Sequence, residues 1–227
     1  MNKKAQVVLF TGGRDSTLTA SLLMTKGVPV FLLSADSGAS IHRKVTKYRI
    51  KELYRRFGSE LLIGHQKMDV SGSFRLLALK DIEEDILTDK KNLVVMGEKL
   101  AIMAHTINFC KRNGYTTVNC GYAKYQEEFP EQREQSVIFL EGLLEKYGIK
   151  LNCPIYNIAE SIEDVKYRLM ELGLSNKPLE GSTIFSDTFS VASDDTIKKY
   201  LSRKESLLYD HINFLNQGVA LNGENTN

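Results

Sequence analysis

The stretch Ala5-Gln6-Val7-Val8-Leu9-Phe10-Thr11-Gly12-Gly13-Arg14-Asp15-Ser16-Thr17-Leu18 decides the expected fold. Val7 to Phe10 form a short apolar run rich in β-branched residues, which is typical of a parallel strand covered on both faces. Two glycines and several polar residues follow, and a helical pattern then runs through Leu18, Leu22 and Leu23. Glycines let backbone N–H groups approach an anion closely, and the first turn of a helix favours negative charge. The stretch therefore predicts a strand, a phosphate-binding turn and a helix.

Two common phosphate-binding loops are excluded by their spacing. The G-x-x-x-x-G-K-[ST] pattern is absent because no lysine enters the turn, and the G-x-G-x-x-G pattern is absent as well. A simpler interpretation is that the two glycines form an ordinary turn and that Asp15, Ser16 or Thr17 caps the helix. The full order of strand, small hydroxyl residue, two glycines, Asp-Ser and helix favours the phosphate site.

The bulk properties indicate one large domain, or one domain with a small appendage, with a substantial core. The chain has 227 residues, of which 42% are hydrophobic. We expect a single domain over residues 1–215, with a helical and loop extension from about residue 176 and a disordered tail over 216–227. The net charge of +2 is too small to indicate nucleic acid as the main partner.

The cysteines and the amino terminus bear on the cellular compartment. Cys110, Cys120 and Cys153 are widely separated and odd in number, so we interpret them as free thiols in a reducing compartment. No apolar run approaches the roughly 20 residues of a membrane span, and Met1 to Lys4 lead into the first strand without a signal-peptide pattern. A cytoplasmic protein without a membrane partner is expected.

Apolar runs alternate with helical patterns along the chain, which predicts a doubly wound, mostly parallel, Rossmann-like sheet with helices on both faces. The expected strands cover residues 7–10, 28–35, 60–63, 116–120 and 149–154. After the first helix, the expected helices cover residues 41–57, 74–87, 100–109, 134–147, 161–173 and 194–215.

Residues that follow the predicted strands are candidates for ligand binding, because the carboxyl ends of parallel strands face the ligand crevice. Asp36-Ser37-Gly38 is expected to border the loop Thr11–Ser16, where an adenosine would lie; a turn with a capping aspartate is the alternative. Gly121 follows the fourth strand and suits either close ligand approach or a tight turn. The polar stretch 122–133 is expected to be a substrate lid, and the stretch 176–193 a loop over the crevice or against a partner.

Charge clusters add two further observations. The helix expected over residues 41–57 is strongly basic, and we interpret most of its charges as a solvated face. His42 and Arg43, in its first turn near the crevice, are the exceptions with a candidate function. The acidic cluster Glu83-Glu84-Asp85 suits a metal site or acid–base chemistry, but a solvent-exposed helix face is favoured for it.

The turn Thr11-Gly12-Gly13-Arg14-Asp15-Ser16 resembles the SGGxDS motif of the PP-loop ATP pyrophosphatases, with Thr11 in place of the usual serine. Over roughly Ala5 to Lys204, the order of motifs is similar to that of the 7-cyano-7-deazaguanine synthase family within this superfamily. The matching segments are Asp36-Ser37-Gly38 with His42 for its D-x-G-x-x-H-like segment, Gly121 for its glycine after the fourth strand, Pro130 and Arg133 for its Y-P-D-C-R stretch, and Pro154 for its proline before a helix.

The resemblance implies an adenine nucleotide alpha hydrolase-like fold, with ATP and Mg²⁺ as cofactors. Such enzymes adenylate a deazaguanine carboxylate, which ammonia converts to an amide and a second ATP-dependent round converts to a nitrile. The expected catalytic residues are Arg14, Asp15 and Ser16. The residues expected to bind the nucleotide are Phe10, Thr11, Gly12, Gly13, Asp15, Ser16, Thr17, Ala35, Asp36, Ser37, His42, Gly97 and Gly121. The residues expected to bind the acceptor are Arg43, Tyr122, Lys124 and Arg133.

Three departures from this family concern zinc and the acceptor. The family's zinc-binding cysteines are missing, since the region from Thr183 to Thr196 offers serines, which are poor zinc ligands, so no structural zinc is expected. Ala159-Glu160 stands where the family tends to have a lysine, and Glu98 replaces an arginine. We therefore expect ATP handling to be retained and the acceptor pocket to be changed.

Two other functions stay open at this stage. A thiolase-type tRNA-modifying enzyme would need a persulfide-carrying cysteine near the loop. Cys120 is the candidate, although a buried structural role is favoured for it. A nucleotide-binding partner subunit could instead modify or regulate another protein in a modification or defence system. The acceptor is then a small molecule or a protein, and a homodimer is expected by analogy with the family.

Overall fold

The computed structural model describes residues 4–41, 45–179, 182–183, 185 and 191–223. The strands are β1 Gln6–Leu9, β2 Val30–Asp36, β3 Ser40–Ile41, β4 Leu62–Asp69, β5 Thr117–Asn119, β6 Lys150–Asn152 and β7 Ser182–Thr183. The α-helices are α1 Arg14–Thr25, α2 Thr46–Leu61, α3 Ser71–Phe74, α4 Ile82–Asp89, α5 Val94–Asn113, α6 Glu134–Glu145, α7 Ile162–Glu171 and α8 Asp194–Gly223. A π-helical turn covers Arg75–Leu79, and 3-10 turns cover Lys124–Gln126 and Pro130–Gln132.

Five strands form one all-parallel sheet in the order β4-β2-β1-β5-β6. β1 lies at the centre, where Val7 pairs with Phe31 of β2 on one side and with Val118 of β5 on the other. The chain winds outward from β1 in one direction through β2 and β4, and then in the other through β5 and β6. The carboxyl ends of β1 and β5 therefore flank the point at which the strand order reverses, where open α/β sheets bind ligands. The predicted doubly wound, Rossmann-like α/β fold is confirmed.

The two faces of β1 belong to two hydrophobic clusters. Val7 and Leu9 pack with residues of α5, α6 and α8, while Val8 and Phe10 pack with residues of α1, α2 and α7. The alternation has the period of a strand, and every residue of the run is apolar because helices cover both faces of the sheet. Burial on both faces holds the turn after β1 in a fixed position.

Several boundaries differ from the sequence prediction. The third strand of the large sheet, β4, runs over Leu62–Asp69 instead of 60–63, because an edge strand can expose polar residues and lacks the expected apolar pattern. The helix predicted over 74–87 is divided among α3, the π-helical turn and α4. The last helix continues to Gly223, so residues 216–223 of the predicted disordered tail are helical, and residues 224–227 lie outside the described part of the chain.

The segment after α7 returns to the carboxyl edge of the large sheet. There β7 pairs in antiparallel fashion with β3, which follows the end of β2. Asn176 and Leu179, which precede β7, lie beside the turn that follows β1. Among the described residues, none of the helices has the length and apolarity that a membrane crossing requires.

Candidate active site

The turn between β1 and α1 is built around Gly12. Its φ angle is +88°, in the region that favours glycine. A Cβ atom at this position would lie 2.2 Å from the carbonyl oxygen of Leu179 and 3.1 Å from Oγ1 of Thr46. Both the backbone conformation and the close neighbours therefore require a glycine.

Three hydroxyl groups stabilise the turn from within. The Gly13 N–H donates to Thr11 Oγ1 at 3.1 Å, and Thr11 Oγ1 lies 3.2 Å from Ser16 Oγ. Ser16 Oγ and Thr17 Oγ1 donate to the Gly13 carbonyl at 3.2 Å and 2.6 Å. Thr11 thus supplies the hydroxyl group that a serine would supply in the SGGxDS motif.

The amino terminus of α1 offers backbone N–H groups to an anion. Gly13 is the N-cap residue of α1, and no side chain makes a capping hydrogen bond there. The first N–H with an acceptor inside the helix is that of Thr17, which donates to the Gly13 carbonyl at 3.1 Å. The N–H groups of Arg14 and Ser16 therefore have no acceptor within the helix, while the Asp15 N–H donates to the carboxylate of its own side chain. They lie at the positive end of the helix dipole, where a phosphate group is stabilised.

Gly121 faces this helix terminus from the end of β5. A Cβ atom here would lie 2.6 Å from the backbone nitrogen of Ser16 and 2.8 Å from the carbonyl carbon of Asp15. Because these atoms belong to the backbone of the turn, no side-chain rotation could relieve the contact. The close approach of the β5 end to the turn thus depends on glycine, which is a packing reason that neither of the two interpretations offered for Gly121 included.

The carboxylate of Asp15 is held by the loop that follows β5. The hydroxyl of Tyr125 donates to Asp15 Oδ1 at 2.7 Å, and Gln126 Nε2 donates to Oδ2 at 3.4 Å. Gln132 Nε2 donates to Gln126 Oε1 at 2.6 Å, while the Ala123 N–H donates to Gln132 Oε1 at 3.0 Å. Burial raises the pKa of the Asp15 carboxyl, and the hydrogen bonds from Tyr125 and Gln126 partly oppose that rise because they stabilise the carboxylate.

A second group of polar residues lies where β2 and β4 end. Asp36 and Asp69 are register partners on these two strands, and Lys67 Nζ lies 2.6 Å from Asp36 Oδ2. Asp36 Oδ1 also accepts a hydrogen bond from the Gly38 N–H at 3.0 Å. The residues that line the open cavity here, which measures about 320 Å³, are Asp36, Gly38, Lys67, Asp69 and Ser71. Carboxylate oxygens at such a position suit the hydroxyl groups of a ribose.

The backbone that follows α7 lies across the phosphate-binding turn. Arg14 Nε donates to the carbonyl of Asn176 at 2.7 Å, and Arg49 donates to the carbonyls of Ser175 and Lys177 at 2.7 Å and 2.6 Å. Arg49 is fully buried and pairs with Glu52. Asn176, in the segment 176–193 that was predicted to cover the crevice, therefore contacts the turn through Arg14.

The structure brings most of the predicted nucleotide-binding residues to one edge of the sheet. Those around the turn are Phe10, Thr11, Gly12, Gly13, Arg14, Asp15, Ser16, Thr17 and Gly121. Those at the end of β2 are Ala35, Asp36 and Ser37. His42 and Arg43 lie outside the described residues, so their predicted roles stay predictions.

Gly97 lies elsewhere in the fold. It is buried in α5, where a Cβ atom would lie 2.6 Å from Ala78 Cβ and 2.8 Å from the hydroxyl of Tyr200. Close packing of α5 against the π-helical turn and α8 therefore accounts for this glycine, whereas the sequence prediction assigned it to the nucleotide.

The residues predicted to bind the acceptor have different environments. Tyr122 is buried and its hydroxyl has no hydrogen-bond partner in the described part of the chain; Lys99 Nζ lies 5.1 Å from the centre of its ring. Lys124 is exposed at the start of a 3-10 turn. Arg133 Nε donates to Asp194 Oδ1 at 2.7 Å, so its guanidinium contacts the start of α8. The predicted acceptor role of these residues, together with Arg43, stays a prediction.

Three residues that contact the turn or the segment across it were not predicted individually: Arg49, Tyr125 and Gln126. Arg49 was counted with the solvated face of the basic helix, although a glutamate three residues later and an apolar neighbour at Leu53 could have indicated burial. Tyr125 and Gln126 were included only in the lid stretch, because nothing local in the sequence indicates a contact with a carboxylate that lies 110 residues away along the chain.

No protein-family model and no curated protein matches the chain. Solved structures share its fold. A 4-thiouridine synthetase, in a complex with RNA and bound ATP, matches with a TM-score of 0.59 at 13% identity over 94% of this chain and 53% of that chain. An NMN synthetase from Francisella tularensis matches with a TM-score of 0.52 at 15% identity, over 95% of this chain and 84% of that chain.

A third structure is a predicted subunit of a tRNA methyltransferase from Methanocaldococcus jannaschii. It has a TM-score of 0.50 and 15% identity, and the match covers 80% of this chain and 96% of that chain. At these identities the likeness shows the fold alone. The chain spans about half the length of the 4-thiouridine synthetase. The likeness therefore supports the Rossmann-like fold, and nothing in it singles out the 7-cyano-7-deazaguanine synthase branch.

Proposed function

We propose that the chain is an ATP-dependent enzyme that transfers AMP to an oxygen atom of an acceptor and releases pyrophosphate. The observation that carries this proposal is the uncapped amino terminus of α1 directly after Gly12 and Gly13, at the switch point of the sheet. Backbone N–H groups there suit the β- and γ-phosphates. The bound ATP of the structurally similar 4-thiouridine synthetase also supports an ATP-using function.

In the proposed reaction, an acceptor oxygen attacks the α-phosphorus and the bond to the bridging oxygen of the β-phosphate breaks. Pyrophosphate leaves with the electron pair of that bond. The N–H groups of Arg14 and Ser16 would stabilise the charge that develops on the leaving group, which lowers the barrier only if they bind it more tightly than they bind ATP. The turn is braced by its own hydroxyl groups, so its N–H groups need no rearrangement to do so.

Mg²⁺ fits the donors at this site. Asp15 supplies a carboxylate beside the turn. A carboxylate next to a phosphate position suits Mg²⁺, which keeps several waters and binds mainly to the phosphates of its nucleotide. When bound, the ion would offset negative charge on the leaving pyrophosphate.

The acceptor proposed first is a carboxylate, deazaguanine-like by family resemblance, with ammonia as the second substrate. Ammonia would displace AMP from the acyl adenylate to give an amide. Sulfur transfer through a cysteine of this chain is not favoured, because burial raises the pKa of the Cys120 thiol to about 12 and the thiolate is the nucleophile. A homodimer, a partner protein and the absence of structural zinc stay predictions.

A pyrophosphate-release assay tests this function. The full chain is incubated with ATP and Mg²⁺ and a series of carboxylates that includes 7-carboxy-7-deazaguanine, with and without ammonium, and the products are identified by mass spectrometry. We expect AMP and pyrophosphate in a carboxylate-dependent reaction that Asp15→Ala abolishes without unfolding the protein. Release of ADP and phosphate would contradict the proposal.

A further inference from the structure

One face of α2 carries exposed positive charges and exposed aromatic rings. This face, the α2 ridge, consists of Lys47, Tyr48, Lys51, Tyr54 and Arg55, all of which are exposed. Tyr48 and Tyr54 are 55% and 38% exposed. The opposite face of the helix contacts the core through the fully buried Arg49 and Leu53, so the direction of the ridge is fixed by packing.

The cations of the α2 ridge lack the acidic partners found on other helices. Of the described residues, no carboxylate forms an ion pair with Lys47, Lys51 or Arg55. Glu52 points away from them, toward Arg49 and the Ser175 N–H.

On helix α7, by contrast with α2, the cations form ion pairs with carboxylates of the same helix. Its Lys166 pairs with Glu163 at 2.6 Å and its Arg168 pairs with Asp164 at 2.8 Å. The α2 ridge is therefore an unneutralised surface, and its cations recur once per helical turn, about 6 Å apart along the axis.

The low net charge of the chain conceals this local excess. The chain carries a net charge of only +2, because acidic residues are concentrated on other elements. Asp81 and Asp85, at the start of α4, pair with Lys204 of α8. A low net charge therefore does not exclude a nucleic acid partner for α2, since a polyanion responds to the potential of the surface that it contacts.

The α2 ridge begins at the phosphate-binding turn. Thr46, the first residue of α2, donates from Oγ1 to the carbonyl of Thr11 at 2.9 Å. From there the helix carries the ridge away from the turn for about 15 Å, at 1.5 Å per residue. A chain of phosphates bound along the ridge would thus have one end beside the candidate active site.

We propose that the α2 ridge docks a single-stranded nucleic acid. Lys47, Lys51 and Arg55 contact its phosphates, and Tyr48 and Tyr54 offer rings on which unpaired bases stack, the combination that single-strand binding uses. An anionic membrane surface fits less well, because the large apolar side chains that α2 exposes are these two tyrosines and no aliphatic residue. The inference concerns a binding surface and does not depend on the proposed ATP chemistry.

Fluorescence anisotropy of a labelled, mixed-sequence single-stranded RNA tests the α2 ridge on the full chain, without ATP. The RNA is about 20 nucleotides long, which exceeds the site of one binding module, and the salt is varied between about 50 and 200 mM. The charge variant is Lys47→Glu/Lys51→Glu/Arg55→Glu. The matched control is Lys80→Glu/Lys150→Glu/Lys198→Glu, which changes the net charge equally at exposed positions outside α2.

We expect the charge variant to lose at least about 30-fold in affinity at low salt, and the slope of log affinity against log salt to fall by about 2, since each lost phosphate contact on a single strand contributes about 0.7. The control should stay within about threefold of the wild type. Tyr48→Ala/Tyr54→Ala should lose about 30-fold with an unchanged salt slope, because stacking is not ionic. Tyr167→Ala, an exposed tyrosine of α7, is the control for that variant.

Equal losses in the charge variant and its control would overturn the proposal, as would an unchanged affinity in the tyrosine variant. Absence of RNA binding by the wild-type chain would overturn it as well. Equal competition by polyglutamate, or preferential binding to vesicles that contain phosphatidylserine, would assign the α2 ridge to another polyanion. Because the RNA-binding assay contains no ATP, its outcomes are independent of the test of ATP turnover.

Discussion

Replacement of Gly121 by alanine perturbs the contact between the end of β5 and the phosphate-binding turn. The new Cβ would lie 2.6 Å from the Ser16 nitrogen and must retreat to about 3.4 Å, where ordinary contact begins, which is a shift of about 0.8 Å. The atoms that it meets are backbone, so either the turn or the end of β5 has to move. Gly121→Ala therefore displaces the N–H groups that we propose bind phosphate, without removing any of them.

A displacement of this size at a catalytic site costs about 10²-fold in rate. We therefore expect kcat/KM for ATP, measured by pyrophosphate release, to fall by about that factor. Overpacking should also lower the free energy of unfolding by about 1–3 kcal/mol, which a denaturant titration measures. The protein should remain folded, because the contact is local and a domain of this size is expected to tolerate that loss.

The matched control is Gly142→Ala, in α6, where an added Cβ would meet nothing within 4 Å. Its kcat/KM should equal that of the wild type, and its stability should rise slightly because alanine favours helix over glycine by about 1 kcal/mol. If Gly121→Ala is folded and retains kcat/KM within about threefold of the wild type, the close contact does not position the turn, and the geometric account of the site is wrong.

Three further predictions concern individual residues. Tyr125→Phe removes a hydrogen bond that favours the ionised form of Asp15, so the pKa of Asp15 should rise further; the acid limb of the kcat/KM profile should move to higher pH, and an unmoved limb would show that Asp15 is not the titrating group. Gly97→Ala should lower the free energy of unfolding by about 1–3 kcal/mol in a urea titration while leaving ATP affinity unchanged, and a selective loss of ATP binding would return Gly97 to the nucleotide site. Arg49→Met leaves the Glu52 carboxylate without its cation and should destabilise the protein by about 3 kcal/mol; a neutral effect on urea unfolding would mean that Arg49 does not hold the segment after α7.

The strand, glycine turn and helix start over residues 6–18 were predicted well because their determinants are local, while phosphate binding by this turn stays a prediction. An apolar strand, two glycines and a helix start are adjacent along the chain, and their conformations follow from backbone sterics and helix capping. The doubly wound, mostly parallel sheet was also predicted from the alternation of strands and helices, since parallel connections require crossovers. Gly121 was singled out because it directly follows a predicted strand.

The parts that could not be predicted depend on distant contacts. Gly97 looked like a ligand-binding glycine until its contact with Tyr200, which is distant in sequence, showed a packing role. The burial of Arg49 depends on carbonyl groups of Ser175 and Lys177. The edge strand β4 has no apolar alternation because most of its side chains face solvent. The neighbours of Gly97 and Arg49, and the position of β4 at the edge of the sheet, are set by the fold, and no local sequence pattern encodes them.

Backbone amide shifts measured by ¹H–¹⁵N NMR during titration with ATP and Mg²⁺ directly test whether the turn after β1 binds ATP, since this measurement needs no acceptor. We expect saturable shifts concentrated at residues 11–17 and at Gly121, which form the turn and its closest neighbour. The amides of Gly142 and Gly148, which lie away from the turn, should not move. Saturable binding that leaves residues 11–17 unshifted, or the absence of any binding, would contradict the assignment of this turn to ATP.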